Sequence, residues 1–210
     1  VKEVIPAIKQ GLAEASTLII KAPTGAGKST LVPLALLDEP WLKGQKILIY
    51  AAAGGVGHYA VQMAKHLGAY VIGTSSASNR KFVLGLGADE QIDYKTIRIE
   101  DAVMDVDLVL DSIGDATIES SVAVTKKGGT VIFLPSGVSD EKLKRLNSSG
   151  VNCYRILVES NGDDMKKVAE LLEKGIIGSY VSGVFPFEKM SDAHLQIETG
   201  KTKGKIVVTI

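Results

Sequence analysis

The sequence predicts an α/β protein with one doubly wound, mostly parallel sheet, to which an N-terminal strand–helix element is joined. The first observation is that short apolar segments of strand length alternate with amphipathic helical stretches along most of the chain. The second is that two of these segments, residues 18–21 and 46–50, lead into glycine-rich turns that precede a helix. Such turns let backbone N–H groups and a helix N-terminus approach phosphate groups. The sequence therefore contains two candidate phosphate-binding turns.

Composition favours a soluble globular protein. A chain of 210 residues is long enough for one α/β domain with an appendage. Its 24 basic and 24 acidic residues balance, which argues against a broad nucleic-acid or membrane surface. The single cysteine, Cys153, rules out an internal disulfide and favours a reducing compartment. Because no membrane-length apolar run and no signal peptide is apparent, we expect a cytoplasmic protein without a membrane partner.

The first candidate turn follows a predicted helix over residues 1–15 and the predicted strand at 18–21. Residues 22–30 read APTGAGKST and fit the second half of a P-loop, with alanine where the first glycine is usual. In such a loop the lysine neutralises the outer phosphates of ATP or GTP, and the hydroxyl of Ser29 coordinates Mg²⁺. The predicted phosphate-binding residues are Thr24, Gly25, Ala26, Gly27, Lys28, Ser29 and Thr30.

This opening resembles the first motif of DEAH-type ATP-dependent helicases, and the resemblance covers about a fifth of the chain. The later motifs of those enzymes do not follow, and the nearest substitute for their Mg²⁺-holding acid is Asp111. Asp111 is better explained as the end of a strand in a dinucleotide-binding fold. We therefore expect Lys28 to bind phosphate without turnover of ATP, because catalysis also needs the metal-holding acid and a positioned water.

The second candidate turn lies in the stretch AAAGGVGHYAVQMAKHLGA, residues 51–69. It fits a Gly-x-Gly-x-x-Gly dinucleotide pattern with alanine in the first position, and it predicts Ala52, Gly54, Gly55, Val56 and Gly57 as cofactor-binding residues. The pattern alone is weak, since any tight strand-to-helix turn looks similar. The amphipathic helix that follows and the strand at 70–74 complete the strand–helix–strand unit that a dinucleotide site requires.

The residues beyond that unit favour NADP(H) over NAD(H). An NAD site usually has an acidic residue about 20 positions after the glycines, bonded to the ribose 2′-hydroxyl. Here the region reads TSSASNRK, residues 74–81, with no carboxylate to repel a 2′-phosphate. The side chains of Ser75, Ser76, Asn79 and Arg80 are the predicted partners of that phosphate. The alternative interpretation is a polar helix cap at the surface.

Residues 46–210 resemble the nucleotide-binding half of zinc-independent medium-chain dehydrogenase/reductases, in their quinone-oxidoreductase-like branch. Besides the glycine turn, the matching segments are LGADEQIDY, DLVLDSIG, KKGGTVIFL and FPFEKMSDAHLQIETGKTKGKIVV. The resemblance implies a Rossmann-like domain over residues 46–182 and a helix–strand tail over 183–210, which leaves residues 1–45 as the P-loop-like segment joined to that domain. It also implies that Tyr94 lies near the 2′-phosphate, and that four residues approach the ribose and nicotinamide, namely Ser112, Gly114, Ser136 and Gly137.

The two resemblances together suggest an engineered or recombined chimera, joined at a strand that both families share. Members of the reductase family carry a barrel-like catalytic domain that is missing from these 210 residues. We therefore expect a protein that binds NADP(H) with little or no catalysis, and we assign no catalytic residue. The alternatives are an active NADP-dependent quinone or enal reductase and an ATP or GTP binder. A natural protein of unusual organisation is the alternative to a chimera.

The remaining segments concern architecture. Strands are predicted at 107–110, 130–134 and 154–158, and a charged amphipathic helix at 162–174. The three histidines lack metal-ligand spacing, so no metal site is expected beyond Mg²⁺ with a nucleotide. The front strand must take a sheet edge, displace a strand or open the sheet. The last strand, 205–209, has lost its usual partners, so we expect it to pair elsewhere or to permit self-association.

Overall fold

Seven parallel strands form one sheet in the computed structural model, which describes residues 17–19, 42–135, 137–157 and 162–210. The sheet has the order β1-β7-β6-β5-β2-β3-β4, and every neighbouring pair is parallel. This confirms the predicted doubly wound parallel sheet. The strands are β1 (Thr17–Ile19), β2 (Lys46–Ile49), β3 (Tyr70–Ser75), β4 (Glu90–Asp93), β5 (Val106–Asp111), β6 (Thr125–Phe133) and β7 (Asn152–Leu157).

Helices alternate with the strands, as is usual for crossover connections between parallel strands. They are α1 (Gly57–His66), α2 (Arg80–Gly85), α3 (Ile99–Ala102), α4 (Ile118–Val124), α5 (Asp140–Asn147), α6 (Gly162–Glu173) and α7 (Met190–Glu198). Two 3₁₀ turns, Ala77–Asn79 and Phe187–Lys189, precede α2 and α7.

Two apolar clusters cover the two faces of the sheet. Successive residues of β2 point to opposite faces, so Ile47 and Ile49 belong to one cluster and Leu48 to the other. Helices α1, α2 and α6 contribute to the first cluster, whereas α3, α4 and α5 contribute to the second. Burial in the second cluster raises the pKa of the Cys153 thiol to about 12, so this cysteine behaves as a core residue.

The strand β1 extends the sheet at one edge. It pairs in parallel with β7, with Leu18 opposite Ile156. Of the three expected arrangements the chain adopts the edge position. The reason is that β2 already has β3 on one side and β5 on the other, so both of its hydrogen-bonding edges are occupied.

The C-terminal tail forms a second, two-stranded parallel sheet from β8 (Val181–Pro186) and β9 (Lys205–Thr209), connected through α7. The expected new partner of the last strand is therefore β8, and self-association through β9 stays a prediction. Within the described ranges, no helix has both the length and the apolar character needed to cross a membrane.

The residue that precedes β9 is hydrogen-bonded to the turn that follows β2. The N–H of Gly204 donates to the carbonyl oxygen of Ala53 at 2.9 Å, and the N–H of Lys205 donates to that of Tyr180 at 2.8 Å. Gly204 has φ +54°, and a Cβ there would lie 2.2 Å from the Tyr180 oxygen. Only glycine fits this close approach, which holds the tail against the turn.

Candidate dinucleotide-binding site

The glycine turn between β2 and α1 is compact because Gly57 has no side chain. A Cβ at Gly57 would lie 2.2 Å from the carbonyl oxygen of Ala51 and 2.7 Å from the Cα of Ala52. That oxygen accepts a hydrogen bond from the N–H of Gly54 at 2.8 Å. Ala51 itself has φ +49°, a left-handed conformation that closes the turn.

Ala52 stands where the dinucleotide pattern usually has its first glycine, and the neighbouring strand compensates for it. Its methyl group is fully buried and lies 2.7 Å from where a Cβ on Gly73 would be. The glycine that makes room for this close approach is therefore on β3 and not in the turn, and its lack of a side chain keeps β2 and β3 close. The carbonyl oxygen of Thr74 accepts from the N–H of Ala52 at 2.9 Å and secures the arrangement.

Three successive backbone donors at the start of α1 are available to an anion. The N–H groups of Gly55, Val56 and Gly57 have no acceptor in the part of the chain that the structure describes. Successive free N–H groups at a helix N-terminus attract negative charge through the unsatisfied donors and the helix dipole. The turn can thus bind a phosphate group with its backbone alone.

A cavity of about 320 Å³ opens beside this turn. Five of the predicted cofactor-binding residues line it: Gly54, Ser75, Ser76, Asn79 and Tyr94. Its lining also includes residues that the sequence analysis did not select: Ala51, Ala53, Ser78, Lys95, Gly200, Lys201, Thr202 and Lys203. The stretch GKTKGK contains the only lysine cluster of the tail, but nothing in its local pattern indicated that it reaches the cavity.

Arg80 does not line this cavity. Its guanidinium donates to the backbone oxygen of Gln91 at 3.2 Å and to the side-chain oxygen of that residue at 3.3 Å. The Gln91 amide in turn donates to Ser75 Oγ at 3.0 Å. Arg80 therefore braces the serine that faces the cavity.

Asp111 organises the loop after β5, where Ser112 and Gly114 lie. Its fully buried carboxylate accepts from the N–H groups of Ile113 and Gly114, both at 2.9 Å. The hydroxyls of Thr117 and Ser121 donate to it at 2.8 and 2.7 Å. These bonds fix the loop in one conformation.

The same loop contacts the end of β2, since the Ser112 hydroxyl donates to the Tyr50 carbonyl oxygen at 3.1 Å. Gly137 lies after β6, and a Cβ there would be 3.8 Å from Asp115 Oδ2. Ser136 and the P-loop residues, Thr24 to Thr30, lie outside the described residues.

His58 is fully buried under the glycine turn. Its Nδ1 is 2.8 Å from the Gly54 carbonyl oxygen, so Nδ1 carries the proton in the neutral ring. Nε2 is buried without a partner among the described residues. Burial lowers the pKa of His58 below its ordinary value of 6.5, and nearby Lys205 adds to the effect.

This burial predicts a pH dependence of stability. Because the unfolded chain binds a proton at His58 more readily than the folded chain, the free energy of unfolding should fall as pH drops below the ordinary histidine pKa. The slope attributable to His58 is at most about 1.4 kcal/mol per pH unit. Denaturant unfolding of the protein and of His58→Gln between roughly pH 7 and pH 5 should show a steeper loss for the unmodified protein. If the free energy of unfolding fell with pH equally in both proteins, the lowered pKa of His58 would be contradicted.

Comparison with known proteins supports the sequence resemblance. The NADPH-dependent alkenal/one oxidoreductase of Arabidopsis thaliana, described as chloroplastic, is 37% identical over 177 residues, which are 82% of this chain and 42% of that protein. A quinone oxidoreductase of Coxiella burnetii has a TM-score of 0.81 at 28% identity and covers 89% of this chain and 58% of its own. Quinone oxidoreductase of Escherichia coli, solved with NADPH, has a TM-score of 0.76 at 27% identity, covering 88% and 64%.

These relatives correct the expected function. The expectation of a non-catalytic chimera is wrong, because the relatives are named as NADPH-dependent or quinone oxidoreductases. The chain spans about half the length of the curated relatives it matches, so its length is no evidence against activity. Their names include chloroplastic and mitochondrial forms, so the cytoplasmic location stays a prediction.

A family model described as zinc-binding dehydrogenase matches residues 86–208. Among the described residues, no group of three or more His, Cys, Asp or Glu side chains could hold zinc. The match covers more than half of the chain and ends within β9, so it includes four of the seven strands of the main sheet and most of the tail. The chain therefore belongs to the zinc-binding dehydrogenase family, and its nucleotide-binding domain is of the quinone-oxidoreductase type.

Proposed function

We propose that this chain is the cofactor-binding part of an NADPH-dependent oxidoreductase that reduces an alkenal, an alkenone or a quinone. When bound, NADPH supplies a hydride to the acceptor. The free N–H groups of Gly55, Val56 and Gly57 would bind its pyrophosphate, and the cavity beside them would take the adenosine half. The named activities of the relatives support the acceptor class.

One observation supports NADPH over NADH. The residues that line the cavity include Ser75, Ser76, Ser78, Asn79 and Tyr94 as polar groups and three lysines, but no carboxylate. Hydroxyl, amide and ammonium groups all donate hydrogen bonds to a 2′-phosphate. The acidic residue that would bind the 2′-hydroxyl of NADH is absent from this lining.

Ser76→Asp should reverse this preference. A carboxylate in the cavity would repel the 2′-phosphate and raise the Kd for NADPH by about 10- to 100-fold, while the Kd for NADH changes by less than about 3-fold. Calorimetric titration with both cofactors measures the change. Ser191→Asp adds the same charge on exposed α7 and should leave both affinities unchanged. Equal losses for the two cofactors would contradict the proposed 2′-phosphate site.

The reductase activity is tested in the whole enzyme to which this part belongs, by NADPH consumption with a panel of 2-alkenals and quinones. We expect turnover with at least one acceptor, and loss of turnover in Gly54→Asp, whose carboxylate would face the phosphates. A protein that binds NADPH but reduces no acceptor in the panel would contradict the proposed activity. The experiment thus distinguishes a failure to bind NADPH from a failure to reduce an acceptor.

A second candidate function is ATP or GTP binding through Lys28. One observation favours it, because β1 is a parallel strand of the main sheet and the P-loop sequence begins three residues after β1 ends. A P-loop requires a strand in that position. Mg²⁺-dependent binding of ATP that is lost in Lys28→Ala would support this function, and no binding by the unmodified protein would contradict it.

A further inference from the structure

Gln91 on β4 is a buried polar side chain that contacts the end of β3 beside the cavity. Only 8% of Gln91 is exposed, and the neighbouring Ser75, which lines the cavity, is 3% exposed. Burying an amide is costly unless its donors and its acceptor have partners. The partners of Gln91 therefore indicate what the residue does.

Each polar atom of the Gln91 side chain has a partner. Its Oε1 accepts from the Arg80 guanidinium at 3.3 Å. Its Nε2 donates to the Ser75 carbonyl oxygen at 3.1 Å and to Ser75 Oγ at 3.0 Å. An amide nitrogen carries two hydrogens, so both hydrogens of Gln91 go to one residue at the edge of the cavity.

Two of these partners allow only one orientation of the amide. The guanidinium of Arg80 can only donate, so it requires the amide oxygen, and the carbonyl oxygen of Ser75 can only accept, so it requires the nitrogen. The group of Gln91 that faces Ser75 Oγ is therefore an N–H donor. The positive charge of Arg80 strengthens this donor, because linked hydrogen bonds polarise one another.

This N–H donor restricts the hydroxyl group of Ser75. A hydroxyl oxygen that accepts from Gln91 must direct its own hydrogen elsewhere, and here that hydrogen goes to the Ser76 carbonyl oxygen at 3.1 Å. Ser75 and Ser76 both line the cavity. The hydroxyl of Ser75 is thus held as a hydrogen-bond donor at the cavity wall.

We infer that Gln91 is a positioning residue that presents the Ser75 hydroxyl as a donor to the 2′-phosphate of NADPH, and that it thereby helps to select NADPH over NADH. The inference rests on the proposed function. When the phosphate binds, the hydroxyl exchanges the neutral Ser76 oxygen for a charged phosphate oxygen, which is the stronger acceptor. NADH lacks that phosphate and gains nothing from the exchange. Arg80 acts through Gln91 and does not itself line the cavity.

The test measures how two variants discriminate between the cofactors. Gln91→Met keeps the length of the side chain but removes its N–H donor, whereas Ser75→Ala removes the hydroxyl and keeps the bond between Gln91 and Arg80. Each should raise the Kd for NADPH by about 5- to 20-fold, and that for NADH by less than about 2-fold, in calorimetric titration. The double variant should bind NADPH no more weakly than Ser75→Ala, because Gln91 acts through that hydroxyl. Gln196→Met makes the same change on α7, outside the cavity lining, and should bind both cofactors normally.

A pair of smaller ligands isolates the 2′-phosphate. Adenosine 2′,5′-bisphosphate and adenosine 5′-monophosphate differ only in that group. Gln91→Met should weaken binding of the bisphosphate by about 5- to 20-fold and change binding of the monophosphate by less than about 2-fold. Unchanged binding of the monophosphate shows that the cavity of the variant is intact. Ser75→Ala leaves the buried amide in place, so it tests the same donor if Gln91→Met does not fold.

The outcomes separate this inference from the proposed function. If the unmodified protein binds NADPH and either single variant prefers NADPH over NADH as strongly as the unmodified protein does, the inference is overturned and the proposed function stands. Equal losses for both cofactors also overturn it, because Gln91 would then support the fold of the site and not the choice of cofactor. A double variant weaker than Ser75→Ala overturns it as well. If the unmodified protein does not bind NADPH, the proposed function fails and the inference with it.

Discussion

Gly57→Ala is expected to abolish dinucleotide binding and to lower the free energy of unfolding by about 3 kcal/mol. The new methyl group would lie 2.2 Å from the Ala51 carbonyl oxygen and 2.7 Å from the Ala52 Cα, and both are backbone atoms that cannot rotate away. The turn must therefore open, which moves the free N–H groups of Gly55 and Val56 from their positions. Denaturant unfolding and NADPH titration measure the two effects.

Gly85→Ala is the matched control for this prediction. Gly85 lies at the end of α2, and a Cβ there meets nothing within 4 Å. Alanine is favoured over glycine in helices, so stability should stay the same or rise by up to about 1 kcal/mol. If Gly57→Ala were as stable as Gly85→Ala and bound NADPH equally well, the proposed close packing of the turn would be wrong.

Asp111→Ala is expected to lower the free energy of unfolding by about 3 kcal/mol or more and to weaken NADPH binding. The substitution leaves the N–H groups of Ile113 and Gly114 and the hydroxyl of Ser121 without their buried acceptor. Unsatisfied buried donors keep the full cost of their lost hydration. The loop after β5 would lose its fixed conformation, and with it the positions of Ser112 and Gly114.

Two further variants serve as comparisons for Asp111→Ala. Asp111→Asn keeps the size of the side chain and one accepting oxygen, so it should lose less stability than the alanine variant. Asp115→Ala removes an exposed carboxylate from the same loop and should change stability by less than about 0.5 kcal/mol. Equal stability of Asp111→Ala and Asp115→Ala in denaturant unfolding would contradict the assigned role of Asp111.

The sheet could be predicted because its local signals agree with one another. The run before the glycine turn, the amphipathic helix and the glycine after it gave β2, α1 and β3 nearly as observed, with Gly68 at φ +82° after the helix. Apolar spacing predicts inward positions for five residues of this helical stretch, of which Tyr59, Val61, Met63 and Ala64 are buried and Leu67 is partly buried. Apolar periodicity and glycine positions are local properties, so the sequence shows them without knowledge of the fold.

The contacts of the candidate site could be predicted only in part, because some of them join distant segments. Ser76 and Asn79 follow the glycine turn by about 20 positions and line the cavity, as does Tyr94, which the family resemblance implied. Lys201 and Lys203 reach it from a tail more than 140 residues away from the turn, and no local pattern encodes that contact. The bond from Arg80 to Gln91 likewise depends on the packing of α2 against β4. The fit of the Ala52 methyl group against Gly73 likewise depends on the pairing of β2 with β3, which the local sequence does not show.

The central claim is that the glycine turn and its cavity bind NADP(H). Calorimetric titration of the unmodified protein and of Gly54→Asp with NADPH and NADH tests it most directly. We predict binding of one NADPH per chain, weaker binding of NADH, and loss of both in Gly54→Asp, where a carboxylate would face the phosphates. NADPH affinity that is absent from the unmodified protein, or unchanged in the variant, would contradict the claim.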